Sequence, residues 1–119
     1  MPFLRGEIWS ADLEPQTHKA EPAKLRRPVL VIQTDILNKD GHATTIVIPG
    51  TSQQDGMAPA DHFPLRVRVQ KTGGLTHDTD LMVDQVRAIS NRRFMEKLCV
   101  VTENHLKRVE QALRILTGK

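Results

Sequence analysis

Four consecutive residues, Val29-Leu30-Val31-Ile32, constrain the fold of this 119-residue chain more than any other stretch. A strand apolar on both faces has to lie inside a sheet or barrel, and Pro28 fits at its first position, where a missing N–H is tolerated. Lys24, Arg26 and Arg27 run directly into it, so cations stand at the mouth of a rigid element. A guanidinium placed there is either aimed at a phosphate or ends a solvated loop, and the stretch alone does not choose between them.

The flanking sequence reads as a mainly β chain forming one domain over residues 1–119. Gly6 to Leu13 is a first strand with Ile8 in opposite phase to Trp9, Ala11 and Leu13, and Trp9 is expected in the core. Residues Glu14 to Leu25 hold two prolines and no apolar period, so they read as a long loop delivering His18, Glu21 and Lys24 towards Arg27. Thr34 or Asp35 caps a helical turn, and Thr44 to Pro49 forms a third strand. It runs straight into Gly50-Thr51-Ser52-Gln53, a corner whose hydroxyls either contact phosphate or satisfy turn backbone groups.

Pro64 to Gln70 alternates, with Leu65, Val67 and Val69 on one face and Arg66, Arg68 and Gln70 on the other. The basic face suits a nucleic-acid backbone, although a solvated or salt-bridged face is the commoner reason for such alternation. Gly73-Gly74 marks a turn, and Asp80 to Ser90 a strand bent near Asp84-Gln85. Asp84 interrupts an apolar run and is expected to find a partner in Arg87 or Arg27, because an unpaired buried carboxylate is costly. Asn91 to Lys97 is a polar excursion and Leu98 to Val101 a last strand. Thr102 then caps a helix whose Leu106, Val109, Leu113 and Leu116 form one stripe, with Gly118 at its end.

Composition narrows the chemistry. A net charge of +3 favours a polyanionic partner without requiring one. The five histidines lack close metal-ligand spacing and the single Cys99 cannot build a thiolate site, so neither metal nor other cofactor is expected. No Gly-rich phosphate loop or nucleophile elbow is present. With aromatics at 3%, an extended base-stacking platform is not expected, although Phe63 suits one stacked base. One cysteine and the absence of a signal-peptide pattern point to a reducing cytoplasm, and no apolar run is long enough for a membrane span.

Taken in order, Arg5-Gly6-Glu7-Ile8-Trp9, Asp12-Leu13-Glu14-Pro15, Arg27-Pro28-Val29-Leu30-Val31-Ile32, Pro49-Gly50-Thr51-Ser52 and Leu81-Met82-Val83-Asp84-Gln85-Val86-Arg87 resemble the MazF/PemK (Kid) toxins of type II toxin–antitoxin systems. The resemblance runs over nearly the whole chain. It implies an SH3-like, strongly bent antiparallel β-barrel with a C-terminal helix, of the MazF/Kid/CcdB-like kind, assembled as a homodimer. It also implies a metal-independent endoribonuclease that cuts single-stranded RNA at a short sequence. The implied partners are RNA, a cognate antitoxin with an acidic C-terminal segment, and operator DNA only through that antitoxin; no membrane is involved.

Residue by residue, Arg27 matches the arginine of the family's Arg-Pro and Thr51 the threonine of its Pro-x-Thr-Ser turn, the pair most often assigned to cleavage. Such a pair suits attack of a ribose 2′-OH on phosphorus, since both side chains donate to the charge that gathers on the non-bridging oxygens. Arginine is a poor base, which leaves His18, Glu21 and Asp84 for proton transfer or orientation. Lys24, Arg26, Ser52, Gln53, Phe63, Arg66, Arg68, Gln85 and Arg87 are the expected RNA contacts. Met82 stands where some members place the arginine of an Arg-x-Asp acid–base pair, which favours Arg27 with Thr51. Two other classes of function remain open here, a CcdB-like gyrase poison and a catalytically inactive binding module.

Overall fold

The computed structural model describes residues 3–13, 26–52 and 65–118. Seven antiparallel strands, β1 (Glu7–Asp12), β2 (Arg26–Val31), β3 (Thr44–Ser52), β4 (Arg66–Val69), β5 (Thr79–Met82), β6 (Arg87–Ser90) and β7 (Phe94–Val100), carry a short helix α1 (Asp35–Lys39) and a C-terminal helix α2 (Glu103–Thr117). The ladder runs β4-β5-β3-β2-β1-β7, and β6 also pairs with β3. Among the described residues no pairing joins β4 to β7, so the barrel implied by the resemblance is a strongly bent sheet that stays open. A cleft of about 590 Å³ separates the end of β4 from the end of β7 and the start of α2.

The apolar run places β2 at the middle, where Val29, Leu30 and Val31 are fully buried. Leu30 joins Ile8, Ile48, Val67, Val69, Leu81 and Val83 under α2, which contributes Val109 and Ala112. Val29 and Val31 face the other way, onto Ala11, Val47 and Ile89. Phe3, Trp9, Leu13 and Phe94 cover that second cluster, with Phe3 stacked on Phe94 at 4.0 Å and Trp9 edge-on to Phe3 at 4.8 Å. The opposite phases of Ile8 and Trp9 therefore mark the two faces of one strand.

β2 starts at Arg26, two residues before Pro28; β3 joins it only from Val29, so Pro28 lies beside an open edge. β7 starts at Phe94, where the sequence suggests a polar excursion, because pairing with β1 and the Phe3 contact hold residues 94–97 extended against weak local preference. The bend in the 79–90 segment is a single 3₁₀ turn at Val83–Gln85. It lets β3 pair with β6 through Thr44–Val47 and with β5 through Gly50–Ser52 along one edge.

Helix α2 keeps its stripe up to Leu113, with Ala112 added and Leu116 at the exposed end. Its first turn is closed by a capping box in which His105 takes the place usually held by Glu or Gln, and Gly118 ends it at φ 80°. Arg5 ties the periphery together, its backbone N–H on Asp35 Oδ1 at 2.7 Å and its guanidinium on the Ile32 carbonyl and on Glu110 at 2.6 Å.

Candidate active site

Four strand ends build the site. Arg26 and Arg27 open β2 as exposed side chains, and Thr51 and Ser52 close β3. β2–β3 pairing ends at Val29↔Pro49, and Arg27 and Thr51, each two residues beyond it, lie on the face of that pair. Directly opposed residues of an antiparallel pair share a face. Ala11↔Arg27, Thr51↔Asp80 and Asp80↔Arg68 extend that row across β1, β5 and β4.

The row ends in an ion pair that sequence reading did not find. Asp80 is 2% exposed and accepts from Arg68 Nε at 2.7 Å and Nη2 at 3.3 Å. The buried carboxylate of this segment is thus Asp80. Asp84, expected to be buried and paired with Arg87 or Arg27, is exposed on the 3₁₀ turn, whose buried residue is Val83. The turn rotates Asp84 into solvent, which removes its need for a partner.

On the neighbouring face a cleft of about 410 Å³ gathers Arg26, Arg27, Ser52 and Thr79 with His77 and Glu96. Two of its lining residues, Pro28 and Thr79, pack against Gly50, where an added Cβ would stand 2.5 Å from Thr79 Cγ2 and 3.5 Å from Pro28 Cγ. Gly73, at φ +57°, turns the chain onto β7, and the Gly74 N–H donates to the Leu98 carbonyl at 2.7 Å. This docking brings Leu75, Thr76 and His77 to the cleft wall. Thr51 is half-buried and faces along the row towards Asp80, so Ser52 is the β3 hydroxyl within the cleft.

The other expected contacts are spread more widely. Arg66 and Arg68 share the outer face of β4, half-exposed, and Gln85 is exposed on the 3₁₀ turn. Arg87 is exposed but pairs with Val47, four positions before Thr51, roughly 13 Å along the strand. His18, Glu21, Lys24, Gln53 and Phe63 lie outside the described residues, as does the long loop from Glu14 to Leu25. The described residues contain no group of three or more His, Cys, Asp or Glu able to hold a metal ion.

At the opposite end of β1 and β2 from the site, hydrogen bonds fix two carboxylates. Burial pushes Glu7 upward, but donation from the Leu4 N–H, Trp9 Nε1 and Lys97 outweighs it and holds the carboxyl below its usual range. Asp35 is also held low, chiefly by the Arg5 N–H. Burial raises the Cys99 thiol, which leaves it a packing group and a poor nucleophile.

Comparison with known proteins adds a family to this geometry. A family model described as PemK-like, MazF-like toxin of type II toxin–antitoxin system matches residues 4–117. An Endoribonuclease MazF of Staphylococcus epidermidis is 30% identical over 115 residues, spanning 96% of this chain and 90% of that one. The crystal structure of MazF from Deinococcus radiodurans shares the fold at a TM-score of 0.73 and 22% identity, covering 100% of this chain and 99% of that chain. An endoribonuclease in complex with its cognate antitoxin from a Mycobacterial species gives 0.71 at 18% identity, covering 98% and 95%.

Proposed function

Because the chain belongs to the PemK-like, MazF-like toxins of type II toxin–antitoxin systems, we propose that it is a cytoplasmic, metal-independent endoribonuclease cutting single-stranded RNA at the Arg27 end of β2. The observation that carries the reading is the convergence of Arg26 and Arg27 with the β3 end: Ser52 lies within the cleft and Thr51 on the same face as Arg27. A ribose 2′-OH attacks the neighbouring phosphorus, and the products are a 2′,3′-cyclic phosphate and a 5′-OH. The phosphorane gains negative charge on its non-bridging oxygens. Arg27 meets that charge with a fork of N–H donors and Thr51 with a hydroxyl, interactions stronger in the transition state than in bound substrate. One well-placed donor of this kind is worth roughly 2.7–4 kcal/mol.

Arg26 and Ser52 hold flanking parts of the RNA, while Arg66, Arg68, Gln85 and Arg87 extend the contact beyond the cleft. The solved relative with its cognate antitoxin supports an antitoxin for this chain too, one whose acidic segment folds over Arg27. Cations flanking an open groove also suit a C2 dimer, for which light scattering should read about 27 kDa, twice the 13.4 kDa chain. No helix among the described residues is long and apolar enough to cross a membrane.

The test is purified protein with a long labelled RNA in EDTA. Sharp fragments ending in cyclic phosphate, lost in Arg27→Ala, support the reading. No cleavage combined with blocked DNA supercoiling identifies a gyrase poison, and neither activity identifies an inactive binding module.

A further inference from the structure

We propose that His77 is the general acid of the cleavage reaction, the proton donor to the leaving 5′-oxygen. The proposal rests on the endoribonuclease reading and supplies a group that reading lacks, since Arg27 and Thr51 stabilise charge but neither is a good proton carrier near neutral pH. His77 is the histidine that the described residues bring into one cleft with Arg26, Arg27 and Ser52.

Its placement is built. The Gly73-Gly74 turn docks on the Leu98 carbonyl and fixes where the following residues run. The fully buried Thr79 donates its hydroxyl to the His77 carbonyl at 2.9 Å, and Thr79 is itself held by pairing with Ser52. On the side chain, Thr76 Oγ1 lies 3.0 Å from Nδ1. With Nδ1 engaged, Nε2 is the ring nitrogen left to meet substrate. An imidazole can both give and take a proton through its ring nitrogens, as a group that gives up and regains a proton each turnover requires.

The step balances without any further reagent. The 2′-hydroxyl proton passes to solvent water as the O2′–P bond forms. The P–O5′ bond breaks while protonated His77 gives its Nε2 proton to O5′, leaving a cyclic phosphate, a 5′-hydroxyl and a neutral imidazole that regains its proton from solvent. No atom is oxidised or reduced.

The experiment uses a short RNA containing the mapped cut site and a second one in which sulfur replaces the bridging 5′-oxygen at that site. A thiolate leaves without protonation, so the second substrate does not need the acid. His77→Gln should slow single-turnover cleavage of the natural RNA by a hundredfold to ten-thousandfold with RNA affinity changed by less than a few-fold. It should cut the sulfur substrate within a few-fold of the parent, whereas Arg27→Ala should stay slow on both. Natural RNA cut by His77→Gln at near-parental rate, or no recovery on the sulfur substrate, overturns the proposal. A parent that cuts no RNA overturns the nuclease reading and this one with it.

Discussion

Arg68 clamps the buried carboxylate of Asp80 with two nitrogens, Nε at 2.7 Å and Nη2 at 3.3 Å, immediately beside Thr51. A pair of this kind is expensive to break from one side and cheap to replace whole. Arg68→Val should destabilise the protein by about 3 kcal/mol, since it removes the two-nitrogen donor from a buried carboxylate; the partial exposure of Arg68 argues for the low end of the usual range. The double variant Arg68→Val with Asp80→Val should recover most of that loss, because two β-branched residues suit adjacent strand positions. Urea denaturation of the variants measures both effects, and a double variant no more stable than Arg68→Val refutes the coupling.

Replacing Arg27 with Ala should reduce single-turnover cleavage about a hundredfold to a thousandfold while the melting temperature stays put, since Arg27 is exposed. Lysine at that position should rescue little, because a point charge lacks the fork. Thr51→Val should slow cleavage with a smaller loss of binding. An RNA with 2′-deoxyribose at the cut should not be cleaved at all. Near-parental cleavage by Arg27→Ala at unchanged melting temperature would reduce Arg27 to a loop-end cation.

Stability should also depend on pH through the start of α2. Burial and the nearby Arg108 hold the His105 imidazole below its ordinary value, and its Nδ1 accepts the Thr102 N–H at 3.2 Å. The folded state therefore binds fewer protons at His105 than the unfolded chain. The contribution is present above the unfolded value near 6.5 and is lost as pH falls through the lower folded value. Glu7 and Asp35, also held low, withdraw their contributions at more acidic pH still. His105→Gln keeps a side chain able to close the capping box, so it should flatten the denaturation midpoint between pH 7 and 5.5. An unchanged slope in that variant assigns the effect elsewhere.

Gly50 permits the closest packing at the site. Gly50→Ala should cost about 1–3 kcal/mol by overpacking, because Thr79 is buried and its Cγ2 cannot swing away. Thr79→Ser removes that methyl and keeps the hydroxyl that holds the His77 carbonyl. Combined with Gly50→Ala it should restore the melting temperature lost by Gly50→Ala alone. If Thr79→Ser restores nothing, the predicted contact does not limit packing.

RNA affinity should fall steeply as salt rises, in proportion to the phosphates neutralised. Filter binding of a non-cleavable 2′-deoxy-substituted RNA at several salt concentrations measures the slope. A flat response would remove the phosphate-tracking role of Arg66 and Arg68.

The parts legible in the sequence were those governed by local pattern. The run Val29–Val31 marks the central strand, Thr102 and Gly118 mark the ends of α2, and opposite phases separate Ile8 from Trp9, because each depends on period or capping alone. Asp84 was misassigned because an Asp in an apolar run resembles a buried carboxylate until the 3₁₀ turn shifts the phase. The partner of Asp80 is encoded in the Gly73-Gly74 turn, since folding the chain symmetrically about Gly74 sets residue 68 opposite residue 80. His77 left none, since its cleft is assembled from β7, β1, β2 and β3, and their meeting is not encoded near residue 77.

The pairing of β1 has a consequence for the order in which this protein comes into being. Ser10 meets Glu96 across 86 positions and Arg5 meets Glu110 across 105, so the first strand waits for the last before its second edge is covered. Contacts that span so much chain close slowly, after loop entropy has been overcome. On the ribosome, the Arg27 end of β2 is made first, and the β7 wall of its cleft follows more than sixty residues later. A chain interrupted before residue 94 therefore carries the cations without the cleft that organises them, and catalytic competence arrives only with β7.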